Sequence, residues 1–139
     1  MPERKTMERA RRAKREGKAP STQAGEFVRE EIEHVREGKH GARSAKQAIA
    51  IGLSKARRAG VALKPPRKGQ ASASTRKNAQ RAMRAGQQAR RQGKRRTSTT
   101  RARATRRALK REPKSSVSRQ ALSRQARSAA ARRRRRAHA

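Results

Sequence analysis

The side chains of this chain that could do chemistry are its guanidinium and ammonium groups. Lysine and arginine account for 43 of the 139 residues, against 9 acidic residues, and the formal net charge is +34. Arginine outnumbers lysine by 31 to 12. Because a guanidinium group can donate two parallel hydrogen bonds to a phosphate, this bias favours nucleic acid as the partner over a merely solubilising surface.

The positive charge is concentrated beyond the first quarter of the chain. Residues 1–37 carry a net charge of +2, whereas residues 38–139 carry +32 with Glu112 as their single acid. Such a polycation is expected to neutralise backbone phosphates by counterion release, largely without sequence preference. The candidate nucleic-acid-binding residues are Lys46, Lys55, Arg57, Arg58, Arg67, Lys68, Arg95, Arg96, Arg106, Arg107, Arg132, Arg133, Arg134, Arg135 and Arg136.

Few other residues could catalyse a reaction or hold a cofactor. The chain has no cysteine, and nearly all its carboxylates are interleaved with cations, so we expect no buried general acid or base. His34, Glu37 and His40 are spaced at i, i+3 and i+6, but Gly38 interrupts the helix that would have to present them together. We therefore predict neither an enzyme nor a metal site, and we expect no cofactor and no small-molecule substrate.

Glycine marks the ends of the elements that must position the cations. Three similar runs place a glycine after a helix-forming stretch and before a lysine, which is typical of a helix C-terminus. They predict helices that end near residues 16, 37 and 92. The runs are Arg15-Glu16-Gly17-Lys18, Arg36-Glu37-Gly38-Lys39 and Arg91-Gln92-Gly93-Lys94.

Residues 21–63 form the only segment whose apolar pattern predicts a core. Val28, Ile32 and Val35 follow helical spacing beside Phe27. With the helix that follows, this segment is expected to form an αα-hairpin. Because its large apolar residues are few, we expect homodimerisation through the hairpin, or docking on a partner, to stabilise it.

Polar residues at the helix starts complete the predicted hairpin. Ser21 or Thr22 is expected to cap the first helix, and Ser44 opens a capping box at the start of the second, which runs to about residue 59. Ala48 and Gly52 lie on the apolar stripe of this second helix. Residues as small as these would let the two helices approach closely.

The segments on either side of the hairpin are polar. Residues 1–20 are predicted to form a charged N-terminal helix with almost no apolar face, and residues 64–139 a basic, low-complexity tail. Helical runs are expected at about 75–92, 100–112 and 117–136, but alanine supplies most of their apolar positions and offers little core. We therefore predict a mainly α protein whose tail is largely disordered until phosphates neutralise its arginines.

Part of the hairpin resembles a known family. The runs that carry the likeness are Gly25-Glu26-Phe27-Val28-Arg29-Glu30-Glu31-Ile32, Glu37-Gly38-Lys39-His40-Gly41 and Ser44-Ala45-Lys46-Gln47-Ala48-Ile49-Ala50-Ile51-Gly52-Leu53-Ser54-Lys55-Ala56. They resemble a family of small basic bacterial proteins of unknown function, some of which are labelled plasmid-stabilisation proteins. The resemblance covers about residues 1–68 and implies a bacterial cytoplasmic protein, with no established activity and no functional residues. The tail is similar to histone-like basic tails in composition alone.

These patterns lead to one expected function and two alternatives. We expect a histone-like, nucleoid-associated protein that binds DNA without sequence specificity, because Phe27 is the only aromatic residue and modes that stack bases need several. An RNA- or ribosome-associated basic protein has the same electrostatics, and composition does not separate the two. A membrane-surface polycation ranks last because the alanine-rich helix faces lack large apolar residues.

Overall fold

The computed structural model describes residues 2–93 and 98–138, and these residues are mainly helical. They form six α-helices and a short 3-10 turn, Ser115–Val117, and contain no β-strand. The predicted mainly α class is therefore confirmed. Within these ranges, no helix has both the length and the apolar character needed to cross a membrane. The helices are α1 (Arg4–Arg15), α2 (Pro20–Arg36), α3 (Ala45–Arg58), α4 (Ala73–Gln92), α5 (Thr99–Lys110) and α6 (Arg119–Ala137).

The predicted glycine stops are confirmed at the ends of three helices. Gly17, Gly38 and Gly93 follow α1, α2 and α4 and have φ values of 73°, 77° and 79°. Side chains of L-residues rarely tolerate this left-handed region, so glycine ends each helix cleanly. The ends of these three helices can therefore be predicted from the local sequence.

The two helix starts of the hairpin have different outcomes. The hydroxyl of Ser44 accepts a hydrogen bond from the backbone N–H of Gln47 at 3.2 Å, so the predicted cap of α3 is confirmed. The predicted cap of α2 by Ser21 or Thr22 is wrong, because α2 already starts at Pro20, and the residue at the cap position, Ala19, forms no side-chain cap. The fixed φ of proline suits the first helical position, where no N–H is needed.

Helices α2 and α3 pack as an antiparallel hairpin around two apolar clusters. Phe27, which is 0% exposed, lies with Ala56 near one end, and Val35 lies with Ala48 near the other. Val61, just beyond α3, folds back onto the Phe27 cluster. The core that the sequence places in this segment is therefore present.

Small residues bring α2 and α3 close together, as predicted. A Cβ atom built on Gly52 would lie 2.6 Å from the Cα atom of Val28, so any side chain at this position would collide with the α2 backbone. Close contact of two backbones yields many dispersion contacts without large side chains.

Helix α1 packs along α2 in spite of its high charge. Thr6, Ala10 and Ala13 are buried, and Met7 packs against the Phe27 cluster. The three buried positions are spaced at i, i+4 and i+7, which places them on one face of the helix. The apolar face is present but consists of small residues, and for that reason hydropathy did not reveal it.

The structure corrects the predicted disorder of the tail. Helix α4 lies against α3 and buries Ala79, Ala82 and Gly86, three small residues on one face. A Cβ atom built on Gly86 would lie 2.1 Å from the carbonyl oxygen of Arg57. Close backbone contact therefore holds α4 on α3 although the tail has few large apolar residues. The prediction of disorder from the alanine content is wrong for this reason.

The chain after α5 returns to the hairpin. The backbone N–H groups of Gly41 and Ala42 donate hydrogen bonds to the carbonyl oxygens of Leu109, at 2.8 Å, and Pro113, at 3.0 Å. Val117, which is 1% exposed, inserts into the Val35 cluster, and α6 then packs on α3. These contacts cover faces of the hairpin that no other segment of the chain was expected to cover. Homodimerisation through the hairpin stays a prediction.

Two glycine-to-alanine variants are expected to change stability in opposite directions. Gly86→Ala forces the α3 and α4 backbones apart and should lower the free energy of unfolding by roughly 1–3 kcal/mol. Gly25→Ala, in α2 with no atom within 4 Å of its Cβ position, should raise it by about 0.5–1 kcal/mol through helix propensity. Urea denaturation followed by circular dichroism measures both. An equal effect of the two variants would contradict the close packing of α4.

Candidate nucleic-acid interface

Four of the ten cations in the first quarter of the chain, residues 1–37, form ion pairs with carboxylates of the same segment. Arg12 pairs with Glu16 at 3.1 Å and Arg29 with Glu33 at 3.0 Å, each between successive turns of a helix or its end. Hydrogen bonds from Lys18 and Arg12 lower the pKa of the Glu16 carboxyl group below its ordinary value. With eight acidic residues against ten cations, this segment offers little net charge to a polyanion.

Lys39 joins α1 and α2 through two carboxylates. Its Nζ atom lies 3.3 Å from Glu3 Oε1 and 3.3 Å from Glu37 Oε2. Hydrogen bonds to Glu37 and Glu3 raise the pKa of the Lys39 ammonium group, and hydrogen bonds from His34 and Lys39 lower the pKa of the Glu3 carboxyl group. Both groups are therefore charged at neutral pH and compensate each other.

The cations that follow Lys55 are not compensated in this way. Within residues 2–93 and 98–138, all ion pairs of lysine and arginine involve cations up to Lys55. Helices α4, α5 and α6 contain no acidic residue. Most of the excess positive charge of the described residues therefore lies on α4, α5 and α6, and the geometry of each helix determines which side of it a cation occupies.

The cations of α5 form a stripe on one exposed face. Arg103, Arg106, Arg107 and Lys110 are all exposed, and the i, i+3, i+4, i+7 spacing places them within an arc of about 100°. Helix α5, which the structure describes completely, has no buried residue. Apart from Leu109, which is half-buried, every residue of α5 is exposed and accessible to a ligand.

A second stripe lies on α4, opposite the face that packs on α3. Lys77, Arg81 and Arg84 are exposed and fall within an arc of about 60°. The buried residues Ala79 and Ala82 lie on the other side of the helix. The α4 cations, and Arg103 and Lys110 of α5, are not among the candidates selected from the sequence. Their helical spacing was a usable signal, but only the packing shows which face is free.

The candidate residues chosen from the sequence have different environments. Arg95 and Arg96 lie outside the described residues. Lys55 and Arg132 are half-buried, and Arg57 is buried. The exposed candidates are Lys46, Arg58, Arg67, Lys68, Arg106, Arg107, Arg133, Arg134, Arg135 and Arg136.

Arg57 is a structural residue, not a surface ligand. It is 7% exposed, and its guanidinium group donates hydrogen bonds to the carbonyl oxygens of Leu63, at 3.2 Å, and Lys64, at 3.3 Å. Burial lowers the pKa of this guanidinium group. Arg57 therefore holds the chain that leaves α3, and its placement in the interface is corrected.

Lys55 is also directed inward. Its ammonium group contacts a carboxylate oxygen of Glu31, a side chain that is only 1% exposed. Removing one partner of a buried ion pair leaves the other charge unpaired, so this contact favours the folded state over release of Lys55 to a phosphate. Lys55 does not belong to the exposed cationic surface in this structure.

The five consecutive arginines of α6 do not act as one unit. Successive residues of a helix are rotated by about 100°, so Arg132 and Arg136 share one side and Arg134 lies on the other. Arg132 is half-buried, and the Arg136 Nη2 atom donates a hydrogen bond to the Gly69 carbonyl oxygen at 2.8 Å. Arg134 faces away from these contacts, with Arg133 and Arg135 on either side of it.

Comparison of the chain with protein-family models, with curated proteins and with solved structures finds no match. The resemblance of residues 1–68 to a family of small basic bacterial proteins therefore stays a prediction.

Proposed function

We propose that this protein binds duplex DNA as a nucleoid-associated architectural protein, by neutralising backbone phosphates without strong sequence preference. The observation that carries the proposal is the cationic stripe of α5, supported by a second stripe on α4, on helices that contain no acidic residue. An exposed face of uncompensated arginines and lysines is the electrostatic footprint of a protein that contacts phosphates.

The spacing of the α5 stripe suits a phosphate backbone. From Arg103 to Lys110 the helix rises by about 10 Å. Measured along the duplex axis, phosphates of one B-DNA strand are about 3.4 Å apart, so a length of about 10 Å along this axis holds about three of them. Three of the four stripe residues are arginines, whose planar groups suit phosphate oxygens.

The single aromatic residue supports a duplex ligand over a single strand. Phe27 is 0% exposed and is enclosed by the hairpin core. Proteins that bind single strands without sequence preference stack bases on exposed aromatic side chains. With Phe27 buried, the chain has no aromatic surface for this purpose, and contact through the backbone phosphates remains as the binding mode.

Binding isotherms at increasing salt concentration test the proposal. The full chain is titrated with duplex DNA, single-stranded DNA and duplex RNA of equal length. We expect a steep linear fall of log K with log salt for duplex DNA, with a slope of about −0.9 for each phosphate contacted, and weaker binding of the single strand. A flat salt dependence would refute phosphate neutralisation. Equal or tighter binding of duplex RNA would refute the assignment to DNA.

A further inference from the structure

A buried carboxylate and two histidines meet where α2 ends. Glu31, in α2, is 0% exposed, and His34 lies one turn further along the same helix. His40 lies in the loop that leads to α3, and its ring centroid is 6.1 Å from that of His34. The sequence spacing groups these histidines with Glu37 and predicts no metal site, but the carboxylate that both histidines face is that of Glu31.

The donor atoms of the three side chains converge. His40 Nε2 lies 3.1 Å from Glu31 Oε2, and His34 Nδ1 lies 3.8 Å from Glu31 Oε1. Each residue offers one donor atom, and the three lie within 4.8 Å of one another. Ligands at about 2.1 Å from a tetrahedral zinc ion are roughly 3.4 Å apart, and the distance from His40 Nε2 to Glu31 Oε2 is close to this value. The longer distance, from His34 Nδ1, is to the other oxygen of the same carboxylate.

The outer nitrogen of each ring donates a hydrogen bond. His40 Nδ1 is 2.9 Å from the Gly41 carbonyl oxygen, and His34 Nε2 is 3.0 Å from Glu3 Oε1. Both oxygens can only accept, since the Glu3 carboxyl group is ionised at neutral pH, so each of these nitrogens carries a hydrogen. In a neutral imidazole the other nitrogen then has a lone pair, and in both rings that lone pair faces Glu31. This is how outer hydrogen bonds orient histidine ligands in metal sites.

The carboxylate itself lacks a donor on one side. Glu31 Oε2 is buried and has no hydrogen-bond partner, although the lone-pair side of His40 is next to it. Two acceptors facing each other in a buried site need a cation between them. A proton on the imidazole is one such cation, and a metal ion is another.

We propose that Glu31, His34 and His40 bind one divalent transition-metal ion of the zinc class, which ties the end of α2 to the loop before α3. Two imidazoles and one carboxylate suit zinc and its neighbours better than magnesium or calcium, which prefer oxygen ligands alone. A water molecule completes the tetrahedral coordination. The ammonium group of Lys55, which now contacts Glu31, moves out towards solvent, as its 28% side-chain exposure allows.

Titration of the metal-stripped full chain with Zn²⁺ alone tests the proposal. We expect saturation at one ion per chain and a melting temperature that rises with zinc concentration, because a ligand of the folded state stabilises it by mass action. Cobalt(II) in place of zinc should give the intense visible absorption of a tetrahedral site. No saturable binding, or an octahedral cobalt spectrum, would overturn the site.

Variants identify the ligands. His34→Gln and His40→Gln should each weaken zinc binding by more than the roughly 10–100-fold seen when a supporting residue is lost. His40 lies in a loop, so its replacement does not interrupt a helix, and circular dichroism of each variant checks that the fold is kept. His138→Gln is the matched control, because His138 is the remaining histidine of the chain and is exposed near the end of α6. Equal loss in His138→Gln and His40→Gln would overturn the assignment.

Lys55→Gln gives a result in the opposite direction. Removing the ammonium group that competes for Glu31 should tighten zinc binding, although it removes an ion pair. A purely structural histidine–carboxylate cluster would not respond in this way. Unchanged or weaker binding in Lys55→Gln would show that the Glu31 carboxylate is not a ligand. None of these outcomes depends on whether the protein binds DNA.

Discussion

Neutralising three arginines of the α5 stripe is expected to reduce the salt dependence of DNA binding strongly. In the variant Arg103→Gln, Arg106→Gln, Arg107→Gln, three phosphate contacts are lost, and the slope of log K against log salt should become shallower by about 2.7. Affinity at low salt should fall with it. Helix α5 has no buried residue and glutamine is a good helix former, so the fold should be preserved.

The matched control removes the same charge from the other end of the chain. Arg4, Arg11 and Arg15 of α1 are exposed, and their replacement by glutamine also lowers the net charge from +34 to +31. We expect the slope of log K against log salt to change by less than about 0.9, the value for one phosphate contact, because this quarter of the chain is nearly neutral. Binding isotherms of the two variants, measured side by side, separate the hypotheses. An equal loss in both would mean that binding follows total charge and not the α5 stripe.

Replacing Phe27 with alanine is expected to be the most destabilising single change in the hairpin. Loss of a fully buried phenyl ring typically costs about 3–5 kcal/mol, which is a large part of the roughly 5–15 kcal/mol that stabilises a domain. Phe27 packs against α1, α2 and α3 through Ala10, Ala24 and Ala56. Met7 and Leu53 also pack on this cluster and can fill the cavity only in part, so the loss should lie within this range.

Urea denaturation followed by far-UV circular dichroism measures the effect. Phe27→Leu, which keeps most of the side-chain volume, is the control and should cost clearly less. Because Val61 and Leu63 also pack on this cluster, Phe27→Ala should loosen the chain that leaves α3 as well. A small effect of Phe27→Ala would indicate that the hairpin is not the structural centre of the protein.

The pattern of correct and incorrect predictions follows the range of the interactions involved. The ends of α1, α2 and α4 were predicted from glycine and lysine, since a left-handed residue after a helix is a local requirement. The predicted start of α2 was wrong because Pro20, which suits the first helical position, begins the helix before Ser21 and Thr22. Both the correct helix ends and the missed start thus depend on residues next to the boundary.

The predicted disorder of the tail failed for a different reason. Hydropathy counts large apolar side chains, and α4 has almost none. Its stability comes from small residues, above all Gly86, which allow close contact with α3. Whether an alanine stripe packs depends on a complementary partner surface, and no local pattern contains that information.

Within the candidate interface the sequence was right about the sign of the charge and incomplete about its location. Arg57 and Lys55 have the same residue types as their exposed neighbours, but one holds the backbone after α3 and the other neutralises Glu31. Conversely, Arg103 and Lys110 complete a stripe of which only Arg106 and Arg107 were selected. Residue type determines what a side chain can bind, and burial determines whether it is available.

By itself the amino-acid sequence determined the helices, most of their ends, the buried aromatic residue and the strong positive charge beyond residue 37. These properties arise from composition and from interactions between near neighbours, which act in the same way in any context. Only the tertiary structure decided that the tail packs on the hairpin, which cations face solvent, and that Glu31 meets His34 and His40. Those features depend on contacts between elements, where close backbone approach and burial outweigh local preference.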